Sequence, residues 1–155
     1  MADKTVARTR VETTQVVQPP FTNAHGTAFG GQIMSWIDIA AAVAAMRHCQ
    51  MPVVTASMDA IQFLAPIRQG HLVILKSQVN AAFNTSMECG VAVYGENPLT
   101  GERFKAVSAY ATFVAIGSDG KPQKIPGVVC ETDEDKRRFN EASKRRELRL
   151  IARKR

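Results

Sequence analysis

The chain has 155 residues, of which 45% are hydrophobic and 22% are charged, and its formal net charge is +6. This composition predicts one globular domain with a sizeable core. No apolar run reaches the roughly 20 residues that a membrane-spanning helix needs, and residues 1–20 show no signal-peptide pattern. A membrane span and a secretory leader are therefore not expected.

The cysteines and histidines argue against disulfide and metal sites. The three cysteines are scattered and lack C-x-x-C spacing: Cys49, Cys89 and Cys130. The three histidines show no ligand spacing: His25, His48 and His71. We therefore expect free thiols in a reduced, cytoplasmic setting and no bound metal.

The first segment predicts an opening strand. Apolar and polar residues alternate from Thr5 to Glu12, Val16 and Val17 follow, and Pro19-Pro20 ends the pattern. Alternation of this kind is typical of a half-buried strand, and prolines are tolerated where a strand ends or lies at a sheet edge. We expect an edge strand here.

The stretch from Asn23 to Ala42 dominates the sequence. A glycine-bearing turn over residues 21–31 leads into an apolar, alanine-rich helix pattern over residues 32–48, the only long one in the first 125 residues. Gly30 and Gly31 stand at the mouth of this helix, where the first N–H groups have no intrahelical partner. Such amides, together with the positive end of the helix dipole, suit a developing oxyanion.

Asp38 lies inside this apolar helix, between Ile37 and Ile39. Helical spacing surrounds it with apolar residues on both neighbouring faces, so no exposed stripe around Asp38 is expected. An ionised carboxylate in such a place is costly unless it has a partner or a purpose. A catalytic carboxylate and a structural ion pair explain it equally well at this stage.

Beyond Pro52 the apolar residues recur every second position. Four strands are predicted, separated by turns, over residues 53–63, 71–79, 87–94 and 104–116. One helix followed by successive strands with short connections indicates an α+β domain. We expect a mostly antiparallel sheet wrapped around the single buried helix.

Residues 131–155 carry most of the net charge, with 10 Lys and Arg against 6 Asp and Glu. Thr132 is a predicted N-cap, acidic residues follow it, and basic residues end the helix, as the helix dipole favours. Phe139, Leu148 and Ile151 give only a thin apolar stripe. Nucleic acid and acidic membrane are possible partners, but without interleaved aromatics or a motif we favour a solvated helix packed lightly on the domain or on a neighbour.

Several common catalytic motifs are absent. The sequence has no G-x-S-x-G elbow, no P-loop and no G-x-G-x-x-G after a strand. Cys49 follows His48 directly, but adjacent helical residues point about 100° apart, which disfavours a paired nucleophile and base. A carboxylate, a carboxamide and backbone amides remain as the candidate chemistry.

The residues around these candidate groups resemble the signature of a known family. The run Asn23-x-x-Gly26-x-x-x-Gly30-Gly31-x-x-Met34-x-x-x-Asp38 resembles the signature of hotdog-fold acyl-CoA thioesterases, specifically the cytosolic acyl-CoA hydrolase group. The similarity continues through residues 47–49, 54–63, 67–70, 84–88 and 109–114 and into the start of the tail at 131–139. It covers roughly residues 10 to 140. It implies a hotdog domain over residues 1–130, followed by a basic helix over residues 131–155.

The resemblance also implies an assembly and a set of site residues. Hotdog sheets join edge to edge in dimers, and members assemble further into hexamers, so a homohexamer built as a trimer of dimers is expected. Asp38 matches the family's carboxylate that activates water, and Asn23 matches the polar residue that helps position it, the two coming from opposite protomers. The turn Asn84-Thr85-Ser86 matches a loop that contacts CoA; Thr55 and Arg68 are further candidates.

The expected reaction is hydrolysis of fatty acyl-CoA to fatty acid and CoA. Asp38 would act as general base on water, or attack directly to form an anhydride, while amides near Gly30 and Gly31 hold the oxyanion. No cofactor is expected beyond the CoA of the substrate. Two alternatives remain: a hotdog-fold enoyl-thioester hydratase or dehydratase, which needs a histidine such as His25, and a non-catalytic acyl-CoA-binding oligomer.

Overall fold

A computed structural model describes residues 1–154. Its elements, in chain order, are β1 (Lys4–Thr5), α1 (Val6–Thr9), β2 (Val11–Val16), a 3-10 turn (Pro19–Phe21), α2 (Gly30–Cys49), β3 (Val53–Phe63), β4 (Leu72–Ala82), β5 (Ser86–Glu96), β6 (Arg103–Ala115), β7 (Val128–Val129) and α3 (Asp133–Arg153).

Five strands form one antiparallel sheet in the order β2-β4-β5-β6-β3. The sheet wraps around α2, so the expected α+β hotdog arrangement is confirmed. β1 and β7 form a separate two-stranded parallel pair. β2 and β3 are the edge strands, and β3 follows α2 directly in the chain.

The core lies between α2 and one face of the sheet. Ile37 and four alanines of α2 are buried against it: Ala40, Ala41, Ala44 and Ala45. Alanine is the best helix former and leaves little side chain, so the helix axis can approach the strands closely. Ser77 of β4 marks how close this approach is, because its hydroxyl donates to the Ala40 carbonyl at 2.7 Å.

The predicted opening strand is wrong in its first half. Residues Val6–Thr9 form a helical turn between β1 and β2 instead of continuing the strand. The Thr9 hydroxyl donates to the Val6 carbonyl at 2.7 Å and accepts from the Val79 amide at 2.9 Å. A threonine that satisfies backbone groups locally competes with the sheet ladder, which the alternating pattern does not reveal.

The long elements agree with expectation except at their ends. The central helix begins at Gly30, two residues before the prediction, and ends at Cys49, with Gln50 in the left-handed conformation (φ 54°). The predicted strand over residues 53–63 is confirmed, and the next three are longer or shifted by one to three residues. Two bulges in β3, between Thr55 and Ser57 and between Asp59 and Gln62, were not predicted.

The C-terminal helix α3 packs on the face of the sheet opposite α2. In β5, Met87 and Cys89 belong to the core around α2, whereas Glu88 between them pairs with Arg145 of α3. Alternate residues of a strand face opposite sides of a sheet, so the two helices lie on opposite faces. Thr132 is the N-cap as predicted, and it forms a capping box with Asp135.

Candidate active site

Asn23 organises the turn that precedes α2. Its side-chain carbonyl accepts from the amides of His25 at 2.9 Å and Thr27 at 3.2 Å, and its amide group donates to the Thr27 hydroxyl at 2.9 Å. Gly26 completes the turn with φ 75°, a conformation that glycine adopts without steric cost. The turn thereby fixes the half-buried Asn23 in one orientation.

The N-terminus of α2 offers bare backbone amides. Phe29 is the N-cap, but its side chain caps nothing, and the first turn holds no acidic residue. The amides of Gln32 and Ile33 both donate to the Phe29 carbonyl, which leaves those of Gly30 and Gly31 in front of them. Gly31 also makes room for the Phe29 ring, since a Cβ there would lie 2.6 Å from a ring carbon. Both glycines therefore shape an amide-bearing surface that suits an anion.

Asp38 is held by a neighbouring strand. The Thr55 hydroxyl of β3 donates to the Asp38 carboxylate at 2.8 Å. The other carboxylate oxygen of the half-buried Asp38 receives no hydrogen bond from residues 1–154, so this oxygen can accept a proton from water. The structure therefore brings Asp38 and Thr55 together.

The amides and the carboxylate lie far apart on their own helix. Asp38 follows Gly30 and Gly31 by about two helical turns, so at about 1.5 Å per residue it lies about 10–12 Å further along the axis. A single thioester needs its oxyanion donors within about 3 Å of the carbonyl oxygen. The two groups are thus well separated on one helix, and no hydrogen bond joins Asn23 to Asp38 within residues 1–154.

The helix surface around Asp38 is more exposed than the sequence predicts. An exposed stripe around it was not predicted, yet α2 exposes three large apolar side chains along its length: Met34 (39%), Ile39 (58%) and Met46 (42%). β3 adds exposed Phe63, whose ring lies beside Gly30. The helix is thus apolar on more faces than a single chain can bury, and the stripe that holds Asp38 is uncovered in the isolated protomer.

The predicted CoA-contacting turn borders a cleft on the opposite side of β3. This cleft, of about 870 Å³, lies between the sheet and the end of α3, and its lining includes Thr85, Ser86, Asp59, Arg146, Arg149 and Arg153. Asn84 does not line it; its side chain is exposed and its carbonyl accepts from the Ile125 amide. Arg68 lies elsewhere, bridged to Thr27 beside the Asn23 turn.

The sequence did not predict a group of charged residues that lies beside this cleft. Glu88 is fully buried and accepts two hydrogen bonds from Arg145, whose guanidinium stacks on the Tyr110 ring at 3.6 Å. Arg149 pairs with Asp59 at 3.0 Å. The one available signal was the spacing of Arg145 and Arg149, which places both on one face of a helix.

The adjacent His48 and Cys49 form no catalytic pair. The His48 ring donates through Nε2 to the Pro126 carbonyl at 2.8 Å, and the Cys49 thiol contacts the Met51 carbonyl at 3.5 Å. Burial lowers the pKa of His48 and raises the pKa of the Cys49 thiol. A neutral imidazole and a protonated thiol with separate backbone partners do not make a nucleophile.

Within residues 1–154, no group of three or more His, Cys, Asp or Glu side chains is placed to hold a metal ion. None of the described helices has both the length and the apolar character that crossing a bilayer requires.

Comparison with known proteins gives one consistent family. The Thioesterase superfamily matches residues 25–102. An uncharacterised acyl-CoA thioester hydrolase of Bacillus subtilis, YkhA, is 46% identical over 88% of this chain and 79% of its own length. Mouse acyl-coenzyme A thioesterase 11 is 40% identical over 92% of this chain, which spans only 24% of that longer protein.

Solved structures similar to this chain come from the same family. An apo-hexameric acyl-CoA thioesterase superposes with a TM-score of 0.94 at 39% identity, covering 98% of this chain and 97% of its own. An acyl-CoA hydrolase of Staphylococcus aureus, solved with butyryl-CoA and CoA, gives 0.91 at 35% identity, covering 99% and 93%. Alanine variants of that hydrolase at an asparagine, an aspartate and a threonine have also been solved, and these are spaced along its chain as Asn23, Asp38 and Thr55 are here.

Proposed function

Because this chain belongs to the thioesterase superfamily and is an acyl-CoA thioester hydrolase, we propose that it hydrolyses fatty acyl-CoA with Asp38 as the catalytic base. The observation that carries this assignment is the Asp38 carboxylate, held by the Thr55 hydroxyl at 2.8 Å on a partly exposed apolar surface. That surface suits an acyl chain, and the second carboxylate oxygen suits a water molecule. The spacing of the altered residues in the Staphylococcus hydrolase supports the same three positions.

The chemical steps follow from these groups. Asp38 takes a proton from water as the water oxygen attacks the thioester carbonyl carbon, and the carbonyl oxygen becomes an oxyanion that accepts from the Gly30 and Gly31 amides. When the oxyanion collapses, the C–S bond breaks and CoA leaves as a thiolate, which takes up a proton. Direct attack by the carboxylate to form an anhydride is the alternative route, and labelled oxygen from water entering Asp38 would distinguish it.

The proposed site is shared between two protomers. The separation of about 10–12 Å along α2 favours an arrangement in which Asp38 of one chain works with the glycine amides and Asn23 of another. The 11-residue edge strand β3 lies beside the exposed apolar stripe of α2, and an unpaired apolar edge of this length favours pairing with a second copy. We propose a homodimer joined along β3, assembled further into a trimer of dimers; the hexameric acyl-CoA thioesterase supports a hexamer.

The cleft on the other face of β3 suits the CoA phosphates. Within residues 1–154, Arg146 and Arg153 make no ion pair with an acidic side chain, and the Arg146 guanidinium lies 4.5 Å from the centre of the Phe83 ring. Guanidinium groups bind phosphates through paired hydrogen bonds, and Thr85 and Ser86 add hydroxyls. No cofactor is required beyond this CoA moiety, and the free cysteines fit a cytoplasmic location.

Thiol release from short-, medium- and long-chain acyl-CoAs tests the function. We expect Asp38→Asn to lose about 10²–10⁴-fold in kcat while the oligomer and acyl-CoA binding persist, because a general base contributes about this much. Unchanged turnover would contradict the role of Asp38. Binding without turnover by the wild type would instead identify an acyl-CoA-binding oligomer, and hydration of an enoyl thioester would identify a hydratase.

Mixing inactive subunits tests the shared site. Asn23→Ala and Asp38→Asn protomers, exchanged into one oligomer, should regain a fraction of wild-type activity because some seams then combine an intact Asn23 with an intact Asp38. Absence of recovery after verified subunit exchange would show that each protomer carries a whole site.

A further inference from the structure

We propose that Arg149 is a positioning residue for the active-site carboxylate, acting through Asp59 and strand β3. This inference rests on the proposed function, because it concerns how Asp38 and Thr55 are held in place. Arg149 touches neither of them. Its Nη1 lies 3.0 Å from the Asp59 carboxylate and 3.5 Å from that of Glu88.

The bulges in β3 explain why such an anchor is needed. Thr55 reaches α2 on the inner face of the sheet, whereas Asp59, four residues later, reaches α3 on the outer face. An even spacing would place both on one face, and the extra residue between Thr55 and Ser57 reverses the alternation. A second irregularity follows, with Ala60 at φ 50°, an unusual conformation for a residue with a Cβ.

The segment between these irregularities has few restraints. β3 lies at the edge of the protomer's own sheet, so within the protomer only β6 supports it from the side, and the register slips on both sides of the pairs from Ser57 to Asp59. The Asp59 carboxylate is the contact that joins this segment to α3. Within residues 1–154, its Oδ1 is buried without a hydrogen-bond partner, and Arg149 is the basic residue that pairs with the carboxylate through Oδ2.

Arg149 is itself fixed by a buried framework. Glu88 is fully buried and holds Arg145 in a two-bond pair, while Arg145 stacks on Tyr110, the residue of β6 directly opposite Asp59. α3 therefore contacts β5 through Glu88, β6 through Tyr110 and β3 through Asp59. Loss of Arg149 leaves Asp59 as an unpaired, partly buried carboxylate, and the strand segment must shift to hydrate it. Thr55, which precedes this segment on the same strand and is separated from it by the first bulge, then loses its alignment with Asp38.

Arg149 also lines the cleft proposed for the CoA phosphates, so the test must separate the two roles. We would measure kcat and KM for acyl-CoA and for the matching S-acyl pantetheine thioester, which lacks phosphates. Arg149→Gln is expected to lower kcat about 10-fold with both thioesters, since misplacement of catalytic groups costs rate whatever the leaving thiol carries. Arg149→Lys keeps the charge beside Asp59 and should recover most of this loss.

Asp59→Asn is the mirror variant, because it breaks the pair while leaving Arg149 in the cleft. It should lower kcat similarly and leave KM for acyl-CoA near the wild-type value. Arg146→Gln alters the same cleft, and within residues 1–154 Arg146 makes no hydrogen bond or ion pair with β3, so this variant should instead raise KM for acyl-CoA only. Arg137→Gln on the exposed side of α3 is the matched surface control.

An effect of Arg149→Gln confined to KM for acyl-CoA would overturn the proposal, and so would wild-type kcat in Asp59→Asn. Wild-type protein that cleaves neither thioester would overturn the proposed function itself, which is a distinct result. Circular dichroism of each variant at the assay temperature ensures that the compared proteins are folded.

Discussion

The helices on the two faces of the sheet are held by different kinds of interaction. On the inner face, α2 presents alanines and isoleucines, and its contacts are almost all apolar. On the outer face, α3 is held by charged residues, with Glu88 fully buried beneath Arg145 and Asp59 paired to Arg149. The inner contact spreads over many small groups, whereas the outer contact depends on a few.

This difference determines how each face tolerates change. An apolar interface loses stability gradually, because each removed or added methylene changes only part of a large contact area. A buried ion pair loses stability abruptly when one partner is removed, because the other charge remains in a poorly solvated place. The outer face should therefore be the more fragile of the two, even though its helix carries the more polar sequence.

Removal of Arg145 should give the largest loss of stability. We expect Arg145→Leu to lower the free energy of unfolding by about 3–5 kcal/mol, because Glu88 is left buried with only longer contacts. Chemical denaturation followed by circular dichroism measures this. Arg137→Leu, which breaks only exposed ion pairs on the same helix, should cost far less.

A double variant sharpens the same comparison. If the outer contact is fragile because of an unpaired charge, Arg145→Leu combined with Glu88→Leu should be more stable than Arg145→Leu alone. Equal or greater destabilisation in the double variant would mean that the pair contributes through packing, as on the inner face.

Overpacking of α2 should have a smaller effect. Ala44 is fully buried against the sheet, and Ala44→Leu should cost about 1–3 kcal/mol because the helix must move away from the strands. The midpoint of thermal unfolding measures the change, and Ala7→Leu at an exposed position is the control. A cost above that of Arg145→Leu would reverse the proposed ranking of the two faces.

Protonation of His48, near the C-terminal end of α2, should have the smallest effect on stability. Burial lowers the pKa of His48, so the folded state resists protonation that the unfolded state accepts. Stability from His48 is therefore intact at neutral pH and is lost as the pH falls below about 6.5, the ordinary histidine pKa. His48→Gln should flatten this part of the stability curve relative to wild type, whereas His25→Gln at an exposed site should leave it unchanged.

The sequence predicts the inner half of the molecule better than the outer half. The apolar helix, the four long strands and the α+β arrangement are all confirmed, because apolar periodicity reports burial against a common core. Asp38 was identified as a carboxylate in an apolar helix, and the structure adds its hydrogen bond to Thr55. The role of this pair in catalysis stays a prediction.

Apolar periodicity does not predict the outer half, because the spacing of charged residues does not show which of them are buried. The arginines of α3 resemble a solvated basic face, and the apolar stripe noted in the sequence is not what seats the helix, since Leu148 and Ile151 are exposed. Buried pairing of Glu88 depends on which strand residues meet which helix turn, and that is set by tertiary register. The bulge between Thr55 and Ser57 is equally invisible, because an extra residue leaves no mark in the residue types.

The length of α2 between its amides and Asp38 has a kinetic consequence. A site completed only when two chains meet makes specific activity subject to mass action. On dilution below the dissociation constant of the dimer, turnover per protomer should fall in proportion to protein concentration, and an inactive protomer present in excess should capture active ones. In the proposed shared site, the rise of one helix would thus couple the abundance of the protein to the rate at which each molecule works.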